Sequence, residues 1–61
     1  MNKIIIEYGS YINIKGYYIQ VRNAEMIISE QYRTNKKAIL ELLSDYKKFY
    51  KNNEITIIDN F

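Results

Sequence analysis

The sequence predicts a small α+β domain, in which a mostly antiparallel sheet of about three to five strands carries one amphipathic helix on one face. Apolar residues alternate with polar ones in short runs near both ends of the chain, which is the period of a β-strand. Between Ile39 and Tyr50 they recur every three or four residues, which is the period of an amphipathic helix. The length of 61 residues predicts that residues 1–61 form a single domain.

The first strand is predicted over residues 3–8. Side chains of a strand alternate between its two faces, so Ile4, Ile6 and Tyr8 share one face and the residues between them occupy the other. A three-residue loop at 9–11 is predicted next, because it keeps the apolar face continuous with that of the following strand.

A hairpin is predicted in the segment YINIKGYYIQVR, residues 11–22. The apolar alternation changes phase in its middle, and a two-residue loop at Lys15-Gly16 corrects the phase because it places Ile12 opposite Ile19. In this hairpin Gly16 supplies the positive φ that a tight primed turn needs. The prediction puts every apolar residue of the hairpin on the face that packs against the helix.

The segment after the hairpin allows two interpretations. A turn at 23–25 is followed by the short apolar run 26–28, which could be a fourth strand. Residues 24–32 could instead be helical, because Ala, Glu and Met are good helix formers. In the first interpretation residues 29–34 form a polar loop before the main helix.

The main helix begins after Thr34 or Asn35, either of which can cap its N-terminus, and Asn52-Asn53 ends it. A last strand is predicted over residues 54–58, where apolar residues alternate again. The predicted buried stripe of the helix consists of Ile39, Leu42, Leu43, Tyr46, Phe49 and Tyr50.

The composition argues against catalysis and metal binding. The chain has no Cys and no His, which removes disulfides, the usual zinc ligands and a cysteine nucleophile. Glu41 and Asp45 stand one helical turn apart on the solvated side of the helix, where a charged surface is the ordinary explanation. Neither of the two glycines lies in a phosphate-binding motif. We therefore expect no enzymatic activity, no metal and no cofactor.

Charge and hydropathy set expectations for location and partners. The apolar triplet at 4–6 is ended by Glu7, far short of a secretory or membrane-spanning segment, so we expect a cytoplasmic protein without membrane contact. The formal net charge of +2 is too small to indicate nucleic acid unless the cations cluster.

One face of the predicted sheet has no helix to cover it, and its polar side chains are the candidates for function. Lys3, Asn13 and Lys15 are predicted there with two tyrosines, and this mixture suits a protein interface, a nucleic-acid surface or a solvated face. The protein interface is favoured, because a domain of this size usually acts by binding. The candidate partner-binding residues are Tyr11, Tyr18, Gln20 and Arg22 on this face and Tyr32 and Arg33 in the polar loop.

The small size also predicts a homodimer. A chain this short without disulfides or a metal has little apolar burial to offset its conformational entropy, and an interface adds burial. Ile5 points away from the predicted core, and Ile58 and Phe61 are predicted outside the face shared by the other apolar residues of the last strand. These three residues are the predicted dimer interface, formed edge to edge or face to face.

The run YYIQVRNAEMIISE at 17–30, followed by KKAILELLSDYKKFY at 36–50, resembles the strand–helix portion of small phage-encoded anti-CRISPR and related anti-defence inhibitors. The resemblance covers roughly the middle two-thirds of the chain and rests on size and pattern. It implies stoichiometric blocking of a larger host protein in the host cytoplasm. Several such inhibitors are acidic mimics of DNA, whereas this chain is mildly basic, so the implied mechanism is occlusion of a protein surface.

Overall fold

A computed structural model describes residues 3–61, which form one four-stranded sheet and one helix. The order is β1 (Lys3–Ser10), β2 (Tyr17–Arg22), β3 (Ile27–Arg33), α1 (Lys36–Phe49) and β4 (Glu54–Asn60). Across the sheet the strands lie in the order β3-β2-β1-β4. The pairs β1/β2 and β2/β3 are antiparallel, and β4 runs parallel to β1. The predicted fold class is confirmed, with one parallel pair added to the sheet.

The core lies between the two central strands and the helix. Alternate residues of β1 and β2 point toward the helix, as the period of a strand requires. Ile6 and Ile19 are completely buried there, and Ile39 and Leu43 of α1 close the core from the other side. The buried set is Ile4, Ile6, Tyr8, Ile19, Val21, Ile39 and Leu43, with Tyr17, Leu42, Tyr46, Tyr50 and Ile55 packed against it.

The helix begins where the sequence indicates and ends slightly earlier. Asn35 is the N-cap, and its side-chain oxygen accepts the backbone N–H of Lys37 at 2.8 Å. The predicted stripe is correct except for Phe49, whose side chain is 78% exposed. Phe49 is the last residue of the helix, and its ring packs edge-on against Tyr50 with ring centroids 4.8 Å apart.

The predicted hairpin turn at Lys15-Gly16 is wrong. β1 continues through Gly9 and Ser10, so the predicted loop at 9–11 is wrong as well, and Ser10 pairs directly with Tyr17. Residues 11–16 form the connecting loop, closed by the Tyr11 N–H donating to the Gly16 carbonyl at 3.1 Å. The change in the phase of the apolar alternation is therefore made by a six-residue loop between β1 and β2. The isoleucines at 12 and 14 lie in this loop, outside the core.

The segment 27–33 is a strand along its whole length, so the helical alternative for 24–32 and the polar loop at 29–34 are both wrong. β3 lies at the edge of the sheet, and its residues are only partly covered on either face. An edge strand of this kind tolerates polar side chains on both faces, which is why its sequence has the composition of a loop.

β4 reaches the sheet through α1, which links the two outer strands β3 and β4 across β2 and β1. It extends to Asn60, two residues beyond the prediction. Ile55, Ile57 and Asp59 are opposite Ile4, Ile6 and Tyr8 and share their face. Phe61 follows the same alternation, so its predicted place outside that face is wrong; its ring packs edge-on against Tyr8 with centroids 5.2 Å apart.

The helix packs over β1, β2 and β3, and β4 lies largely outside its footprint. Within residues 3–61, no helix has the length and apolar content needed to cross a membrane.

Candidate functional site

The open face of the sheet is organised around the carboxylate of Glu7, which lies on the central strand β1. Arg22 donates from Nη1 to Glu7 Oε1 at 2.9 Å, and the Tyr18 hydroxyl donates to Oε2 at 2.8 Å. Asn60 donates from Nδ2 to the same Oε2 at 3.1 Å and to the Tyr18 hydroxyl oxygen at 2.9 Å. Side chains from β1, β2 and β4 thus meet at one carboxylate.

These contacts hold Glu7 in its charged form. The hydrogen bond from Arg22 and, next, that from Tyr18 lower the pKa of the Glu7 carboxyl below its usual 4.5, although partial burial acts in the opposite direction. Burial raises the pKa of the Tyr18 hydroxyl, while the hydrogen bond from Asn60 opposes that rise. At neutral pH the site therefore contains a carboxylate, a guanidinium and a neutral phenol.

The network continues toward the edge strand β3. Arg22 also donates from Nη1 to Gln20 Oε1 at 2.7 Å, and Gln20 donates from Nε2 to Glu30 Oε2 at 2.9 Å. Each of these side chains is fixed by a neighbour on its own or the adjacent strand. The polar part of the open face is consequently a preorganised surface.

Three tyrosines form a cluster at one end of this face. The Tyr11 ring lies 5.3 Å from that of Tyr18 and 5.5 Å from that of Tyr32, centroid to centroid, in tilted arrangements. The Tyr32 hydroxyl donates to the Lys15 carbonyl at 2.8 Å, which ties β3 to the loop. Gly16 allows this contact, because a Cβ there would lie 2.5 Å from Cε1 and Cζ of Tyr32 and would displace the end of that side chain.

The loop 11–16 extends the tyrosine cluster with exposed apolar side chains. Ile12 is 97% exposed and Ile14 is 62% exposed. Between the loop and the sheet lies an open cavity of about 360 Å³, lined by residues 10–14 and Tyr18. We call the combination of the three tyrosines, Ile12 and Ile14 the tyrosine–loop surface.

The structure brings most of the predicted partner-binding residues together. Tyr11, Tyr18, Gln20 and Arg22 lie on or beside the open face, and Tyr32 joins them because β3 is a strand. Arg33 does not join them; it is opposite Tyr17 on the helix face, and its Nη1 donates to the Tyr32 carbonyl oxygen at 2.7 Å. The binding role of all six residues stays a prediction.

Asn13 and Lys15 were expected on the open face and instead lie in the loop. Lys3 does lie on the open face and is 3.9 Å from Glu54. Of the predicted dimer residues, Ile5 and Ile58 are half-buried on the open face beside Glu7, whereas Phe61 lies on the helix face.

Sequence reasoning missed the two residues that organise the face. Glu7 has a visible signal, because it is the one carboxylate among the outward residues of the first strand. Asn60 has none, since its position follows from the parallel pairing of β4 with β1. The exposure of Ile12 and Ile14 was missed because their alternation is typical of a strand.

The charges of the face do not favour a polyanion. The open sides of the four strands carry three carboxylates, Glu7, Glu30 and Glu54, and two cations, Lys3 and Arg22. Arg22 is paired with Glu7. Within residues 3–61 no group of three or more acidic side chains has the arrangement of a metal site.

Comparisons of the chain with protein families, with curated proteins and with solved structures found no match.

The Glu7 network makes stability depend on pH in the acid range. A carboxyl whose pKa is lowered on folding stabilises the folded state above its unfolded pKa, here 4.5, and this contribution is lost as the pH falls through the folded pKa. We expect urea midpoints of the protein to fall as the pH is lowered below 4.5, and Glu7→Gln to remove part of that dependence.

Glu41→Gln is the matched control, because Glu41 is exposed on α1, away from the network. The midpoints are measured by circular dichroism at several pH values. An acid dependence that is the same in Glu7→Gln and in the parent would show that the network does not contribute.

Proposed function

We propose that this protein is a non-enzymatic binding module that attaches to a larger protein through the tyrosine–loop surface. The observation that carries the proposal is the exposure of Ile12 next to three clustered tyrosines. Following the resemblance, we further propose that the partner is a host defence protein of a bacterium, and that one copy of the protein blocks one binding site on it.

The surface has the properties of a protein-binding anchor. Tyrosines contribute large contact areas with few rotatable bonds, and their burial dominates many interfaces. Tyr18 and Tyr32 are already held by hydrogen bonds to Glu7 and to the Lys15 carbonyl, so little side-chain freedom remains to be lost on binding. Ile12 and Ile14 supply apolar surface that the protein itself does not bury.

Two alternative functions are less well supported by this geometry. A nucleic-acid surface needs cations free to approach phosphates, whereas Arg22 is paired with Glu7 and carboxylates outnumber cations on the face. A general base needs a pKa near the working pH, and the pKa of Glu7 is lowered, away from neutrality.

We expect Ile12→Asp to weaken binding to the partner about tenfold or more, because a charge replaces the most exposed apolar side chain of the surface. Ile12 makes no contribution to the core, so the variant folds normally. The experiment is capture of partners from bacterial lysate on immobilised protein, identification by mass spectrometry, and titration of the purified partner by calorimetry.

Phe49→Asp is the matched control, because Phe49 is an exposed apolar residue at the end of α1 and is not part of the tyrosine–loop surface. The proposal requires that Phe49→Asp binds like the parent. Equal affinities of the parent and Ile12→Asp would contradict it, and capture that disappears after nuclease treatment or at high salt would indicate nucleic acid instead.

A further inference from the structure

β4 is an unprotected edge of the sheet. It pairs with β1 along one side over all seven of its residues, and its other side has no neighbouring strand within the described chain. The helix covers little of it, so Ile57 remains 37% exposed although its side chain points to the helix face. Backbone N–H and C=O groups of alternate residues on such an edge are open to another strand.

The opposite edge, β3, is protected in two ways. The pairing of β3 with β2 shifts register between Val21 and Arg22, which leaves Ile28 without a directly opposed residue. Bulges of this kind bend an edge and discourage further pairing. The helix also reaches β3, where the hydroxyls of Ser29 and Tyr46 are 2.9 Å apart. The pairing of β4 with β1 has no register shift, and the helix covers little of β4.

We propose that β4 pairs antiparallel with β4 of a second copy, with Ile57 on the twofold axis. The inference is independent of the proposed binding function. It selects edge-to-edge pairing from the two arrangements that the sequence left open. The two sheets become one continuous sheet, and each copy's Ile55 and Ile57 gain apolar neighbours from the other copy.

The charges of β4 suit pairing with itself in this direction. In a register centred on Ile57, Glu54 is opposite Asn60 of the second copy and Asp59 is opposite Ile55, so no carboxylate meets another. Thr56 is opposite Ile58 on the open face. A parallel pairing of the two β4 strands in register would instead place each carboxylate beside the same carboxylate of the second copy. An antiparallel pairing of two β3 strands about their middle residue would place Glu30 opposite Glu30.

The two copies are related by an axis perpendicular to the sheet, so both open faces lie on the same side. The tyrosine–loop surfaces belong to β2, β3 and the loop 11–16, two strands away from the axis. Dimerisation through β4 therefore leaves both of them uncovered.

Single cysteines test the register directly, because the chain contains no other thiol. Directly opposed residues of an antiparallel pair have Cβ atoms about 4.5–5.5 Å apart, close enough for a disulfide after small adjustments. Under mild oxidation we expect Ile57→Cys to form a disulfide-linked dimer about tenfold faster than Glu30→Cys, the equivalent central position of β3. A mixture of Thr56→Cys and Ile58→Cys should form the mixed dimer in preference to either homodimer.

Sedimentation equilibrium at micromolar concentration provides the second measurement. We expect close to twice the chain mass of 7.4 kDa for the parent and the monomer mass for Ile57→Lys, with far-ultraviolet circular dichroism confirming that the variant is folded. A monomeric parent would overturn the proposal. It would also be overturned if the β4 edge bound a strand of another protein and not that of a second copy. Cross-linking of Glu30→Cys as fast as that of Ile57→Cys would overturn it as well, and this outcome does not depend on the folding of Ile57→Lys.

Discussion

Replacement of Ile19 by alanine is expected to lower the free energy of unfolding by about 2–5 kcal/mol. Ile19 is completely buried on β2, opposite Tyr8 of β1 and in the cluster that includes Ile39 of the helix. The truncation removes apolar contact and leaves a cavity that the rigid sheet cannot close. A chain of this length has a total stability of about 3–9 kcal/mol, so the substitution removes a large fraction of it and should lower the urea midpoint clearly.

Leu40→Ala is the control for this substitution, because Leu40 lies beside Ile39 in sequence and is exposed. Urea unfolding followed by circular dichroism gives both midpoints, and Leu40→Ala should unfold close to the parent. Equal midpoints for Ile19→Ala and the parent would show that the core is not where the structure places it.

Replacement of Gly9 by valine is expected to cost about 2–3 kcal/mol, because the side chain has no space. Gly9 lies in β1 between Tyr18 of β2 and Asn60 of β4. A Cβ at this position would lie 2.7 Å from the Cβ of Asn60 and 2.9 Å from its carbonyl oxygen. The backbone of β4 must move away to accept it, which also breaks the hydrogen bonds from Asn60 to Glu7 and Tyr18.

Ser10→Ala is the control for the effect on stability of any substitution at the end of β1, since Ser10 is the next residue of β1 and is exposed. Its effect should be within about 0.5 kcal/mol. Hydrogen exchange distinguishes local opening of β4 from unfolding of the whole domain. In Gly9→Val the amides of β4 should lose protection first. Full protection of β4 in a variant as stable as the parent would contradict the predicted close approach.

The parts of the fold that depend on local signals could be predicted from the sequence. The helix has a cap at Asn35 and a periodic stripe, and both are properties of consecutive residues. The first strand was assigned correctly to its faces for the same reason, because alternation alone decides which side Ile4 and Ile6 occupy. The helix-free face of the sheet, with Tyr18, Gln20 and Arg22 on it, followed from that alternation.

The parts that depend on distant pairing could not be predicted. Ile12 and Ile14 alternate like strand residues, but no partner strand is available to them because β4 occupies the free edge of β1. β3 has the polar composition of a loop and becomes a strand only by pairing with β2. Tyr32 was therefore predicted in a loop and lies in a strand, and Asn60 could not be found without the position of β4.

The parallel pairing of β4 with β1 also has a consequence for the order of folding. Tyr8 and Asp59, which share a hydrogen bond of 3.0 Å, are separated by 51 positions in sequence. β1, β2 and β3 can pair early in folding, because each hairpin joins neighbours in sequence. The second edge of β1 stays unpaired until β4 has docked beside it. During that interval the edge of β1 is open to strands of other molecules, so refolding at high protein concentration should increase aggregation.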